Sequence, residues 1–259
     1  MWLPQVAYIG ILPLSGRDLP YAALDADLNL LALTRGDAAE VLAFCGGQKQ
    51  AVVAVAAPCA PSLGLLQRPD YRATLPDALR PGRWQQGRVA EYLLRRHNLR
   101  MLPTPTEPEK APSWVRESFR LCRQLEQMGY RPYHLQPEAD HQWLETYPHA
   151  GFAALLGHLP FSKNSLEGRI QRQLVLREHG LSLPDPLRIF EELTRYRLLQ
   201  GVLPTENLLS TEELDAIMAA LTAYRAARVP DEVTLLGDPE EGQIVLPAAP
   251  LKTRYLKTG

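Results

Sequence analysis

Apolar runs of strand length come first along this chain, and stretches with helical spacing dominate later. Residues 6–12 are apolar throughout and close at Pro13 and the Ser15-Gly16 turn, the pattern of a first strand. Residues 21–25 and 28–33 predict two more strands, joined as a hairpin at the polar break 25–27. Asp37 then reads as an N-cap with Glu40 at the third helical position, and Gly46-Gly47 ends that helix. Residues 50–56 (QAVVAVA) carry no polar alternation after Gln50, as in a strand covered on both faces. The first 56 residues therefore spell strand, strand, strand, helix, strand.

A proline-rich excursion follows over residues 57–85, and long ordered loops of this kind are usually functional. Helical spacing returns over 86–98 and again over 114–128, separated by the proline-rich connector 102–112. Residues 131–135 and 143–147 predict short strands, and 149–156 a helix. Leu166, Ile170 and Leu174 mark another helix, ended by Gly180. Asp185-Pro186 predicts a helix running to Gln200-Gly201. Ser210 with Glu213 forms a capping box for a last helix, whose buried stripe is Leu214, Ile217, Met218, Leu221 and Tyr224. Residues 233–236 and 243–246 close the chain as strands. The whole reads as one α/β domain over residues 1–259, with a large Pro/Arg-rich central insertion at about 57–130.

Composition narrows the class. With 28 Lys+Arg against 29 Asp+Glu, the chain is neither a polybasic binder nor an acidic disordered tail. No apolar run approaches the ~18 residues of a membrane span, and the apolar N-terminus lacks the basic flank of a signal peptide, so no membrane partner is expected. Cys45, Cys59 and Cys122 are odd in number and scattered, which argues against a disulfide framework and for a reducing, cytoplasmic setting. The charge is polarised even so. Residues 80–100 hold six arginines and one acid, and 206–241 hold nine acids and two basic residues.

The familiar catalytic motifs are missing: no P-loop, no GxGxxG after a strand, no GxSxG and no HExxH. The six histidines never fall at i, i+4 and read as isolated surface or capping residues. Two carboxylates stand out. Glu145 lies inside an apolar strand, where a site role competes with a sheet-edge acid paired to an arginine. Asp215 lies one turn into the last helix among small apolar neighbours, where a site role competes with simple placement near a helix N-terminus. A buried acid needs a partner, a cation or a proton. Lys163, with Arg169 and Arg172 on one helix face, is a basic group of the kind that positions phosphates. Cys59, just past the fourth strand, reads as a buried thiol sooner than as a nucleophile, because no histidine partner is evident.

An ordered set of segments spans nearly the whole chain. It comprises Ile9-Gly10-Ile11, Val53-Ala54-Val55-Ala56-Ala57-Pro58, Arg88 with Glu91, Glu145-Thr146-Tyr147-Pro148-His149-Ala150, Lys163 with Gly168-Arg169, Asp215-Ala216 with Ala219-Ala220, and Gly242-Gln243-Ile244-Val245-Leu246-Pro247. In this the chain resembles the predicted-nuclease family known as domain of unknown function 429. The resemblance implies an RNase H-like mixed sheet, three antiparallel strands followed by parallel ones, flanked by helices. It also implies metal-dependent hydrolysis of nucleic acid phosphodiesters, with Mg²⁺ or Mn²⁺ held by acids at the sheet centre. Glu145 and Asp215 would be the metal ligands, Lys163 would act with them, and Arg88, Glu91, Arg169 and Arg172 would contact the substrate. The sequence departs from the pattern where Leu12 and Ala56 replace two acids, so metal binding is expected to be weak. A non-catalytic module binding nucleic acid or protein on the same fold is the alternative.

Overall fold

The first three apolar runs form β1 (Ala7–Ile11), β2 (Leu19–Leu24) and β3 (Leu30–Gly36) in the computed structural model, which describes residues 6–16, 18–75, 82–133 and 140–257. They pair antiparallel, β1 with β2 and β2 with β3. Helix α1 (Ala38–Gly46) starts on the expected capping box, in which Asp37 and Glu40 each accept the other's backbone N–H. Strand β4 (Ala51–Val55) then lies parallel to β1, with Gly10 opposite Ala54 and Ile11 opposite Val55, and it is buried on both faces.

Within the central insertion lie α2 (Pro69–Thr74), α3 (Val89–Arg96) and α4 (Ser113–Gln127). Arg80 and residues 134–135 of the expected strand fall outside the described residues, leaving β5 (Arg131–Pro132) as a two-residue pairing on β6 (His141–Thr146). Helices α5 (Pro148–Leu156) and α6 (Leu166–Glu178) follow.

The helix expected from Asp185 to Gln200 is instead two short ones, α7 (Arg188–Glu192) and α8 (Arg195–Leu199). The Asp185 carboxylate accepts the Leu187 N–H, and the Thr194 hydroxyl caps a fresh start at Arg197 N–H. Both side chains offer the backbone a local alternative to a continuous helix.

The long α9 (Thr211–Arg228) begins on the Ser210/Glu213 capping box, and the last two strands form the hairpin β7 (Thr234–Asp238) and β8 (Gly242–Leu246). The described strands make one sheet in the order β3-β2-β1-β4-β6-β8-β7, with β5 beside β6. Strands β1, β4, β6 and β8 run parallel.

Side-chain alternation divides this sheet into two faces. Tyr8, Val52, Ala54 and Leu144 pack beneath α9, whose buried stripe includes Leu214, Ile217, Met218 and Leu221. Ile9, Ile11, Val53 and Val55 point the other way, against α1 and α4. Helix α9 lies so close to β1 that only glycine fits at position 10. A Cβ there would stand 2.1 Å from the Ala216 carbonyl oxygen and 2.3 Å from the Ala220 nitrogen. Ala219 and Ala220 are the small helix residues that permit this approach.

Contrary to the reading of scattered cysteines, Cys59 and Cys122 form a disulfide, tying the segment after β4 to α4. The fold brings them together across 63 residues of sequence, a contact that spacing alone cannot reveal. Cys45 remains a free, buried thiol. Among the described residues no helix is long and apolar enough to cross a membrane.

Candidate functional site

Leu12 and Ala56 sit just beyond the ends of adjacent strands, joined by the Ala56 N–H donating to the Ile11 carbonyl at 2.9 Å. They belong to the face covered by α9, and Asp215 reaches the same place from the first turns of that helix. A cleft of about 1020 Å³ opens there, whose wall includes Leu12, Ala56, Asp215, Lys163, Arg172 and His149. The sequence reading thus placed Asp215, Lys163 and the two departures from the acidic pattern in one neighbourhood, and the structure gathers them.

Lys163 Nζ stands 3.6 Å from Asp215 Oδ2, an ion pair at the rim with the lysine half exposed and the aspartate nearly covered. Burial pushes the Asp215 carboxyl above its ordinary range, and the charges of Lys163 and Arg172 pull it back in part. His149 lies on the wall of the same cleft. Burial, with Arg172 and Lys163 nearby, lowers its imidazole pKa to about 4, so it is neutral at physiological pH. Reading the histidines as isolated missed this residue. Its place in Tyr147-Pro148-His149, directly after a strand and at the start of α5, was the available signal.

Arg172 is 1% exposed and lies with its guanidinium carbon 5.3 Å from the centre of the Phe152 ring. Its Nη1 donates to the carbonyls of Gly168 at 2.9 Å and Phe161 at 3.1 Å. Its Nε and Nη2 are buried without a hydrogen-bond partner.

Glu145 goes elsewhere. Leu144 packs on the α9 face, so Glu145 projects from the opposite face, in register with Val55. There it meets Arg88 in a fork, with Oε2 2.8 Å from Nη2 and Oε1 3.0 Å from Nη1, and it also accepts the Cys59 N–H at 2.9 Å. Arg88 Nε turns to Glu91 at 3.2 Å, and Glu91 accepts the N–H and hydroxyl of Thr104. Glu241 completes the cluster by accepting the Val89 and Leu63 N–H groups and the Ser62 hydroxyl, each at 2.8 Å. Burial opposes the Arg88 charge, but Glu145 and Glu91 outweigh it and hold the guanidinium's pKa above its ordinary value.

Three expectations change accordingly. Glu145 and Asp215 cannot share a metal ion, because a sheet lies between their side chains and ligand oxygens must lie ~2 Å from the ion. Arg88 and Glu91 are buried and directed at each other, not at a substrate. Arg169 donates to the carbonyls of Leu208 and Leu209 at 2.9 Å, which fixes the entry to α9 instead of lining the cleft.

The donors present do not fit Mg²⁺ or Mn²⁺. Leucine and alanine stand at the strand ends, Asp215 already faces a lysine, and Glu212, the other carboxylate on the cleft wall, pairs with Arg35. No group of three or more His, Cys, Asp or Glu suited to a metal assembles among the described residues.

These features define a mixed α/β protein with a cation-bearing cleft at the ends of its central strands. A family model described as "Protein of unknown function (DUF429)" matches residues 22–241, and the chain belongs to that family. No curated protein and no solved structure matches it.

Proposed function

We propose that this chain is an RNase H-like member of its family that binds nucleic acid in the α9-side cleft without metal-dependent hydrolysis. The strand order, with three antiparallel strands followed by parallel ones, supports the RNase H-like reading. One observation carries the functional part. At the strand ends where acids would hold a cation, Leu12 and Ala56 face Asp215, whose charge is balanced by Lys163, while the other candidate acid is held by Arg88 on the far face.

A two-metal clamp draws its power from paired cations that stabilise the attacking and leaving oxygens. One carboxylate beside a lysine supplies no such clamp. What remains is positive charge on the cleft wall from Arg100, Lys163, Arg172 and Lys257, with Asp215 and an Arg35-paired Glu212 opposing it. Such a surface attracts phosphate and needs no catalysis to be useful.

The test is calorimetric titration with Mg²⁺ and Mn²⁺, a digest of single- and double-stranded DNA and RNA, and a binding assay with short oligonucleotides. Oligonucleotide binding that weakens with salt, with no cleavage and no saturable metal uptake, is the expected result. Metal-dependent cleavage that disappears in Asp215→Asn overturns the proposal.

A further inference from the structure

The same cleft contains a group whose hydrogen-bonding capacity is unused. Arg172 is held from two directions, by its helix carbonyl at Gly168 and by the Phe161 carbonyl, both on Nη1. The Phe152 ring supports the guanidinium. The remaining edge, Nε and Nη2, carries two parallel N–H groups with no partner, in a side chain that is 1% exposed. A buried guanidinium edge without an acceptor is costly and uncommon in a native structure. That edge is the one that meets two oxygens of a carboxylate or phosphate side by side. Asp215 is near enough for its charge to act on Arg172, yet it makes no hydrogen bond or ion pair with it within 4.0 Å.

We infer that the Arg172 end of the cleft seats a terminal phosphate, a phosphomonoester, gripped by the Arg172 edge, the Lys163 ammonium and the His149 ring. This rests on the proposal that the cleft takes nucleic acid, and it narrows the ligand to a phosphorylated end. Asp215 draws off part of the Lys163 charge, so the number of oxygens decides: a terminal phosphate offers two to the Arg172 edge and a third to Lys163, where an internal phosphodiester has only two that are free. A neutral His149 adds a donor without adding a third cation, and its low basicity fits a place already occupied by positive charge.

The rest of the cleft suits what a terminal phosphate would bring with it. Trp114, Met101, Leu102 and Phe161 line it, and Leu102 and Phe161 are largely exposed. The aromatic rings among them, Trp114 and Phe161, are of the kind that takes the face of a base. About 1020 Å³ lies at the upper end of small-ligand cavities, roomy enough for a nucleotide. The phosphate can come from a free mononucleotide or from the end of a strand, and the chemistry at Arg172 is the same.

The experiment compares five probes on the intact chain by calorimetry: inorganic phosphate, a nucleoside 5′-monophosphate, its nucleoside, and one short single strand with and without a 5′-phosphate. Each phosphorylated probe that binds should exceed its unphosphorylated counterpart by on the order of tenfold or more. Lys163→Ala, at a half-exposed position, should remove most of that difference. Arg172→Lys keeps the charge but not the fork, and should do the same if it folds.

Preference for the monophosphate alone identifies a small-molecule site, supports the phosphate seat and refutes the nucleic acid reading. Preference confined to the phosphorylated strand supports both. Strands that bind equally with and without the phosphate leave the nucleic acid reading standing and overturn the seat. Failure of every phosphorylated probe, or a preference that Lys163→Ala leaves intact, overturns it as well.

Discussion

Gly10→Ala tests how closely α9 is set on the sheet. The added methyl would lie 2.1 Å from the Ala216 oxygen, 2.3 Å from the Ala220 nitrogen and 2.8 Å from the Ala219 Cβ. Ordinary contact begins near 3.4 Å, so the helix backbone must retreat by about 1.3 Å or β1 must buckle. Neither element yields easily. β1 is buried and paired on both sides, and α9 is buried along eleven of its eighteen residues. Overpacking a core commonly costs about 1–3 kcal/mol, and an obstacle made of backbone should reach the top of that range. For a chain of this size that corresponds to a fall in Tm of roughly 6–12 °C. Gly46→Ala is the control, because its Cβ meets only the terminal methyl of Met128 at 2.9 Å. Urea denaturation and differential scanning calorimetry on both variants provide the comparison. If Gly10→Ala melts within a degree of the parent, the helix is not seated as described, and the placing of Asp215 beside Leu12 and Ala56 loses its support.

Three further outcomes follow from the same geometry. The double change Leu12→Asp with Ala56→Asp adds two carboxylates facing Asp215, so the protein should lose roughly 2–5 kcal/mol without metal and recover part of it in Mn²⁺, read as a metal-dependent Tm; a Tm indifferent to Mn²⁺ would show that these positions do not surround a common point. Glu145→Gln should cost about 3 kcal/mol in urea denaturation by leaving buried Arg88 short of charge, yet leave oligonucleotide affinity unchanged; weakened binding in a normally folded variant would restore Glu145 to the site. His149 has a folded pKa of about 4, below its ordinary 6.5, so its contribution to stability is complete above pH ~6.5 and lost as pH falls toward 4. The parent should therefore lose up to about 3 kcal/mol more than His149→Gln between pH 7 and 4. Asp215, whose pKa is raised, works in the opposite direction in both proteins and cancels from the difference. Parallel stability curves for the two would show that the ring titrates normally.

The elements set by local chemistry were legible in the sequence. Both capping boxes, at Asp37 and Ser210, start their helices where they were expected, because the motif satisfies orphan N–H groups within four residues. The strand ends at Leu12 and Ala56 and the acid on α9 were legible for a similar reason, each fixed by its position in an element. Glu145 was not. Alternation shows that it opposes Leu144, but which of the two faces α9 depends on how β6 registers with β4, and register is a long-range property. The break at Thr194 failed for the opposite reason. The Asp185-Pro186 start signal favoured one helix, and a single hydroxyl accepting a local N–H was enough to divide it.

The sheet separates two buried arginines whose surroundings differ in one decisive respect. Arg88 is closed: its guanidinium meets Glu145 and Glu91, and Glu241 accepts backbone N–H groups from the loops on either side. Its one nitrogen without a hydrogen bond, Nη2, stands 2.8 Å from Glu145 Oε2, so its charge is matched in place, and the cluster accounts for itself as a clamp between α3, the Cys59 segment and the β7–β8 hairpin. Arg172 is open: two carbonyls hold one nitrogen, an aromatic ring supports the plane, and the other edge has no acceptor. Burial alone does not separate the two, since both are essentially inaccessible. Saturation does. A cation buried for structure is surrounded by its acceptors, whereas a cation kept to bind something must hold donors in reserve until the ligand arrives. By that criterion the proposed ligand site lies on the α9 face, with Arg172, Lys163 and His149, and not with the glutamate that its sequence setting first brings forward.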